Sequence, residues 1–375
     1  MLSELSSASD ETDASSTHYR CLAEPEGLLR QFLRHPPAGF DAYVSPEGVV
    51  GFHTRFDLLT TADAALIEFF DSLPSATWLR QLLRLRTCFF GSTVNEYAPL
   101  PSAFSPVELT RAMLAIWAKD SPLMIVKDIA EASPLLPQQD SDYAAAFLVA
   151  CEAAGFILVD GQALAYVPID FVSEEAYLAR LSAGRRKDIR RKLRARDVLR
   201  IERLPTGSAR LVDDQLLTHL YALYLKVYEQ SELHFDILGA AFFSSVLRDE
   251  TLDGHIFLYS VGEYLIGFNL CFVHAGMLVD KYIGLDYPAA RDYNLYVVSW
   301  MENLAYAREQ GLNYYVAGWT DPEIKAYLGA RFTFTRHAVY VRNPLLRAVL
   351  RKLVHRFQSD HAWFEQYADK PATHS

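Results

Sequence analysis

The chain is poor in the patterns that announce most function classes. It has four cysteines in 375 residues, Cys21, Cys88, Cys151 and Cys271. None forms a CxxC pair, which argues against both a zinc site and a disulfide framework. Three of them sit in apolar surroundings and read as small core residues. No apolar run approaches the ~18 residues that a membrane-spanning helix needs. Residues 1–17 have neither the basic start nor the apolar stretch of a secretory signal. Their Ser, Asp and Glu content suits a disordered tail, taken as 1–18. Excess positive charge is also missing, since the net charge is -10. The chain as a whole therefore does not attract nucleic acid or anionic membranes. A cytoplasmic, metal-free protein with no membrane partner is the expectation. There is no repeat of fixed period, and no Ser-His-Asp or Cys-His arrangement for nucleophilic catalysis.

What is present is apolar bulk, at 51% of residues. That suffices for a large core in two or three units. One segment departs from the acidic average: RRKDIRRKLRAR, 185–196, holds eight basic residues and one acid, Asp188. Ile189 and Leu193 lie four apart, so one helical face can pack while the charges fan outward. This is either a solvated, salt-bridged face or a phosphate-tracking surface, and little aromatic interleaving argues against direct base stacking.

The first half reads as a loop at 37–46, a helix over 62–73, and a helix over 107–119 opened by the Ser105-Pro106 cap. A strand at 122–126 and a helix over 140–154 follow. Strands at 156–159 and 163–167 are split by an Asp160-Gly161 turn. The second half is more regular. Ser173 caps an acidic helix start, and the basic helix follows Gly184. A strand at 198–204 and helices over 212–229 and 238–247 come next. Three strands, 255–261, 265–273 and 277–285, are joined by turns at Gly262-Glu263 and Ala275-Gly276. A helix over 293–310, a strand at 313–317, a short helix capped at Asp321 and a strand at 332–341 complete the order.

That order resembles the GNAT acyltransferase fold, an α/β arrangement on a mixed sheet. Three stretches carry the resemblance to its Fem-like and BioF-associated branch. SEEAYLARLSAGRRKDIRRKLRA (173–195) is similar to that branch's acidic-to-basic entry. YIGLDYPAARDYNLYVVSWMENLAYAREQGLNYYVAG (282–318) is similar to its central strand, donor-binding turn and following helix. IKAYLGARFTFTRHAVYV (324–341) is similar to its closing section. The resemblance implies two tandem GNAT-like halves, a degenerate one at 19–170 and a transferase domain at 171–345, before a helical tail at 346–375. It implies transfer of an acyl group from an acyl-CoA-type thioester to a small-molecule or peptide amine. Related Fem-type enzymes use aminoacyl-tRNA, which would engage Arg185–Arg196. A non-catalytic binding module is the third reading.

The candidate residues follow from both sources. Strand alternation puts Leu278, Asp280, Tyr282 and Gly284 on one face. A carboxylate in an apolar strand is costly unless paired, and burial raises its pKa toward that of a useful general base, so Asp280 is the expected base. Tyr282 shares its expected face. Asn269 and Cys271 share a face of the neighbouring strand, with Asn269 expected to bond substrate and Cys271 to pack. The resemblance places Tyr315 as proton donor to a leaving thiolate and Lys325 near donor phosphate or acceptor carboxylate. It places Glu232 and His234 in an acceptor-shaping loop. The turn Pro288-Ala289-Ala290-Arg291-Asp292-Tyr293-Asn294 lacks the glycines that hold coenzyme A pyrophosphate in many GNAT enzymes. Small alanines, the helix-start N–H groups of Tyr293, Asn294 and Leu295, and Arg291 are the phosphate contacts it offers. As an ordinary helix start it would be capped by Asp292.

Overall fold

Capping side chains and left-handed residues punctuate the described residues into thirteen strands and eleven helices. The computed structural model describes residues 17–57, 68, 72, 83–117, 121–231 and 235–353. The first part runs β1 (Tyr19–Arg20), α1 (Glu26–Arg34), β2 (Asp41–Val44), β3 (Val50–Asp57), β4 (Arg84–Phe90), β5 (Leu100–Pro101), α2 (Pro106–Ile116), β6 (Leu123–Glu131), α3 (Gln138–Ala153) and β7 (Ile157–Pro168). It continues with α4 (Glu174–Leu178), α5 (Ala183–Leu193), β8 (Arg200–Pro205), α6 (Asp214–Gln230), α7 (Ala240–Arg248), β9 (Gly254–Val261), β10 (Tyr264–His274) and β11 (Met277–Leu285). The last elements are α8 (Ala289–Asp292), α9 (Leu295–Glu309), β12 (Tyr314–Gly318), α10 (Pro322–Leu328), β13 (Arg331–Val341) and α11 (Pro344–Leu353).

The helix starts follow from local chemistry. Ser105 accepts the Glu108 N–H at 3.4 Å while the Glu108 carboxylate accepts the Ser105 N–H at 3.0 Å, a reciprocal box that opens α2. Ser173 and Ser182 cap α4 and α5, and Asp213 caps α6. Three sequence expectations need correction here. The 37–46 stretch contains β2 as well as loop. Gly161 does not make a turn: β7 runs straight through it. A Cβ there would strike the buried Thr335 side chain and lie 3.0 Å from its carbonyl oxygen, so the glycine serves a close approach of two strands. The cap of α9 is Asn294, at φ 51°, and Asp292 instead closes the short helix α8. The helix expected over 62–73 lies, apart from residues 68 and 72, outside the described residues.

The chain divides into two units, 1–22 with 39–163 and 333–374, and 23–38 with 164–332. In the first, β2, β3 and β4 form an antiparallel meander. β4 then pairs in parallel with β6, and β6 pairs antiparallel with β13. In the second, β8, β9, β10 and β11 form the antiparallel meander. β11 pairs in parallel with β12, which pairs antiparallel with the last residues of β7. The two units thus share one strand plan, each with a helix crossing between its parallel strands. The closing strand of each comes from the other half of the sequence: β13 follows β12 yet pairs with β6, and β7 follows β6 yet ends against β12. The division accordingly passes through β7 and β13, where the sequence places boundaries at 170 and 345. Residues 23–38 also join the second unit. There the buried Glu24 carboxylate pairs with Lys281 at 3.0 Å, and Gln31 donates to Asp249 at 2.9 Å.

The second unit's sheet is covered on both faces. Trp300, Met301 and Leu304 of α9 pack with Cys271, Leu278 and Tyr315 on one face. Tyr224 of α6 and Phe242 and Phe243 of α7 surround Tyr282 on the other.

Candidate active site

The site is made by a change of register in β11. Leu270 of β10 faces Tyr282, but Cys271 faces Asp280, so Lys281 is an extra residue bulged out of the ladder. The bulge reverses the expected alternation. Asp280 turns to the α9 face with Leu278, Asn269 and Cys271. Tyr282 and Gly284 turn to the α6–α7 face. Uninterrupted alternation had grouped Asp280 with Tyr282, and the structure separates them. The bulged Lys281 is held by its ion pair with Glu24.

Parallel pairing between β11 and β12 covers three residue pairs and ends at Val279↔Val316. Asp280 is the next residue on β11. Past it, the backbone edge of β11 is not laddered to β12. The opening lies at the carboxyl ends of two parallel strands. The starts of α9 and α10 follow those ends in sequence, which is where open α/β sheets place ligands.

Four polar side chains converge on the Asp280 carboxylate. Asn269 Nδ2 donates to Oδ1 at 3.0 Å and to Oδ2 at 3.2 Å. Tyr315 donates its hydroxyl to Oδ2 at 2.9 Å, and Asn303 Nδ2 donates to the same oxygen at 3.1 Å. Asn303 also donates to the Tyr315 hydroxyl oxygen at 3.3 Å. The Cys271 thiol adds a contact. Burial pushes the Asp280 pKa up from 3.8 to about 6, while Tyr315, the nearby Lys325 charge, Asn269 and Cys271 pull it back down. Burial likewise pushes the Tyr315 hydroxyl well above its ordinary range, and the Asp280 charge adds to this. The same two causes raise Tyr296, in the first turn of α9. Of the amide and phenol donors, Oδ2 collects three and Oδ1 one, so these leave Oδ1 the less committed oxygen. The carbonyl oxygens of Asn269 and Asn303 are buried and have no hydrogen-bond partner among the described residues. Such orphaned acceptors beside a carboxylate call for a donor from outside the cluster.

Lys325 is 3% exposed, so it does not lie on a solvated helix face. A Cβ placed at Gly318 would sit 3.9 Å from its Nζ and 3.8 Å from the Asp280 carbonyl oxygen, which locates the ammonium near the base. Leu295 is buried, and its side chain packs against Gly267, leaving only its backbone for ligand. Asn294 caps α9 without a side-chain hydrogen bond. Arg291 is exposed, donates to Gln230 at 3.2 Å and lies 4.8 Å over the Tyr287 ring. Tyr293 is half-buried in the same turn. Glu232 and His234 lie outside the described residues. Sequence reasoning missed Asn303 and Tyr296. An Asn in the apolar stripe of a core helix is the one signal that pointed to the first.

The basic helix α5 is largely tied down. Arg190 pairs with Glu175, Arg191 and Lys192 pair with Asp188, and Arg196 pairs with Glu174 and Glu302. Arg186 donates to the Leu181 carbonyl at 2.6 Å, and Arg185 lies 5.5 Å over the Tyr327 ring. Lys187 and Arg194 have no acid partner among the described residues. Together with Gly184, Asp188, Arg190 and Arg191 they line an open surface groove. Among the described residues, no group of three or more His, Cys, Asp and Glu side chains could hold a metal ion, and no helix is long and apolar enough to cross a membrane.

Residues 183–326 match the family model of the acetyltransferase (GNAT) domain. No curated protein matches the chain. Similar solved structures cover both units. The C-terminal domain of a putative lysylphosphatidylglycerol synthetase from Agrobacterium fabrum aligns with a TM-score of 0.53 at 13% identity, over 86% of this chain and 88% of that one. FemX aligns with a TM-score of 0.52 at 12% identity, over 90% and 96%. L-PGS from Bacillus licheniformis aligns with a TM-score of 0.51 at 11% identity, over 89% and 98%. At these identities the likeness is one of fold. Residues 183–326 are thus similar to the GNAT domain, and the chain's fold is similar to that of these proteins.

Proposed function

We propose that the chain is an acyltransferase that moves an acyl group to an amine, with Asp280 as general base. The observation that carries this reading is the Asp280 cluster: a carboxylate with a pKa of about 6, flanked by two buried amide oxygens that lack donors. An amine supplies N–H donors to such a site and has a proton to lose there. In the transfer step the amine nitrogen attacks the carbonyl carbon of the donor, and Asp280 Oδ1 takes the amine proton. The collapsing intermediate expels the thiolate or ribose oxygen of the donor, which leaves with a proton. Tyr315 is committed to Asp280 by its own hydroxyl, so it positions the base. Tyr296 is the phenol left to protonate the leaving group. Backbone N–H groups on the unladdered edge of β11 are the donors for the developing oxyanion. Tyr315, Lys325 and Asn269 together hold the Asp280 pKa down against burial, and the glycine-free start of α9 presents N–H groups to donor phosphates.

Two donors fit. A coenzyme A thioester would place its phosphates at the α9 start, near Arg291. An aminoacyl-tRNA would lay its backbone in the groove of Lys187, Arg190, Arg191 and Arg194. That second donor is favoured by Lys187 and Arg194, which have no acid partner among the described residues, and by exposed ion pairs at Arg190 and Arg191, which are worth only ~0–1 kcal/mol and exchange readily for phosphate. Titration calorimetry with acetyl-coenzyme A and filter binding with aminoacyl-tRNA separate the two donors. Transfer of neither acyl nor aminoacyl groups to any amine in a mass-spectrometric screen would overturn the proposal.

A further inference from the structure

The helix α11 is amphipathic, but it lies with its polar side inward. Asn343 Oδ1 accepts the Leu345 and Leu346 N–H groups at 2.9 and 3.2 Å and so starts the helix. Arg347 then fastens it to its own unit. Its Nε donates to the Val341 carbonyl at 2.8 Å, and its guanidinium lies 4.3 Å over the Tyr340 ring. At about 100° per residue, Leu345 and Val349 project from the side opposite Arg347, with Leu346 beside them. They are accordingly exposed: Leu345 at 78%, Val349 at 53% and Leu346 at 40%. An apolar stripe turned to water on a helix with few apolar contacts of its own marks a contact surface.

The charge around the stripe selects the occupant. Residues 342–357 read RNPLLRAVLRKLVHRF and hold Arg342, Arg347, Arg351, Lys352 and Arg356 with no Asp or Glu, in a chain of net charge -10. Lys352 is exposed beside Leu345 at the edge of the stripe, and Arg351 is exposed further round, on the side of Arg347. A second copy docked through the same stripe would bring two like-charged basic surfaces together, because a two-fold interface is self-complementary. An anionic lipid surface instead offers acyl chains to the leucines and phosphates to the cations. We propose that α11 is an interfacial helix that seats the chain on an anionic membrane surface without crossing it. Net charge argues against a membrane partner for the chain as a whole, but that average hides a basic segment of 16 residues. This inference does not depend on the proposed transfer reaction.

Co-sedimentation of the full chain with vesicles of phosphatidylglycerol and phosphatidylcholine in equal parts, and of phosphatidylcholine alone, tests it. The chain is expected to pellet with the mixed vesicles only, and to be released by high salt. Arg351→Ala with Lys352→Ala is expected to weaken binding about 30-fold, and Leu345→Glu with Val349→Glu to abolish it, with thermal melting unchanged in both. The proposal is overturned if the chain stays in the supernatant, as it would if residues 358–375 cover the stripe. It is also overturned if both vesicle types pellet it equally. Light scattering that shows a dimer dispersed by the Leu345 and Val349 substitutions would assign the stripe to a second copy instead.

Discussion

Replacing Asp280 by Asn removes a charge that burial makes expensive. In the folded chain Asp280 takes up its proton near pH 6, against 3.8 when unfolded. Above pH 6 the ionised form therefore costs the fold about 3 kcal/mol, at ~1.36 kcal/mol per pKa unit. Between pH 4 and pH 6 the folded chain holds a proton that the unfolded chain has lost, so this group lowers stability as pH rises through that window. Asn has no such proton. Its amide places an NH2 where Oδ1 stood, facing the Asn269 donor, at a pH-independent cost of about 1–3 kcal/mol. The stability difference between variant and wild type should consequently shift by about 2.4 kcal/mol in the variant's favour from pH 4 to pH 7. Guanidinium denaturation of both proteins at four pH values measures it, followed through the fluorescence of Trp300, which packs against Tyr315 at 5.1 Å. A difference that stays flat to within about 0.5 kcal/mol would refute the claim that burial dominates at Asp280.

Other substitutions probe the same frame. Tyr315→Phe removes the 2.9 Å hydrogen bond that lowers the Asp280 pKa, so the pH dependence of transfer should move to higher pH. An unmoved profile would deny Tyr315 its positioning role. Gly161→Ala should destabilise the first unit by about 1–3 kcal/mol in denaturant titration, because the added methyl meets Thr335. A neutral result would restore the turn reading of that glycine. Lys187→Ala with Arg194→Ala should reduce the salt slope of aminoacyl-tRNA binding by about 2 if the α5 groove carries that donor. An unchanged slope leaves the coenzyme A donor.

Much of the second unit was legible in the sequence because its signals are local. The strand at 277–285 was read with its observed ends, since Gly276 marks one and the Asp286-Tyr287-Pro288 turn the other. The apolar positions Leu295, Val298, Met301 and Leu304 of α9 are all buried. The bulge at Lys281 was not legible, because alternation assumes a two-residue period and nothing local announces an extra residue. The exchange of closing strands was invisible for a related reason: the pairing of β13 with β6 links residues some 200 positions apart. Gly161 was misread because a turn and a close approach both require glycine. Asp280, Asn269, Tyr315 and Lys325 were legible as candidates, and the structure brings these four together with Asn303. Their hydrogen-bond geometry depends on the bulge. The charge of α5 was legible, while the pairing of Arg190 with Glu175 of α4, and of the following Arg196 with Glu174 and Glu302, was not.

The central claim is that Asp280 removes the proton of an amine acceptor. Its most direct test is the transfer rate of wild type and Asp280→Asn as a function of pH, with whichever donor supports turnover. The wild-type rate should rise with pH to a plateau through an apparent pKa of about 6. The variant should be slower by about 10²–10⁴-fold at the plateau and lack that rise. A variant that keeps the wild-type rate and the wild-type pH profile would contradict the account.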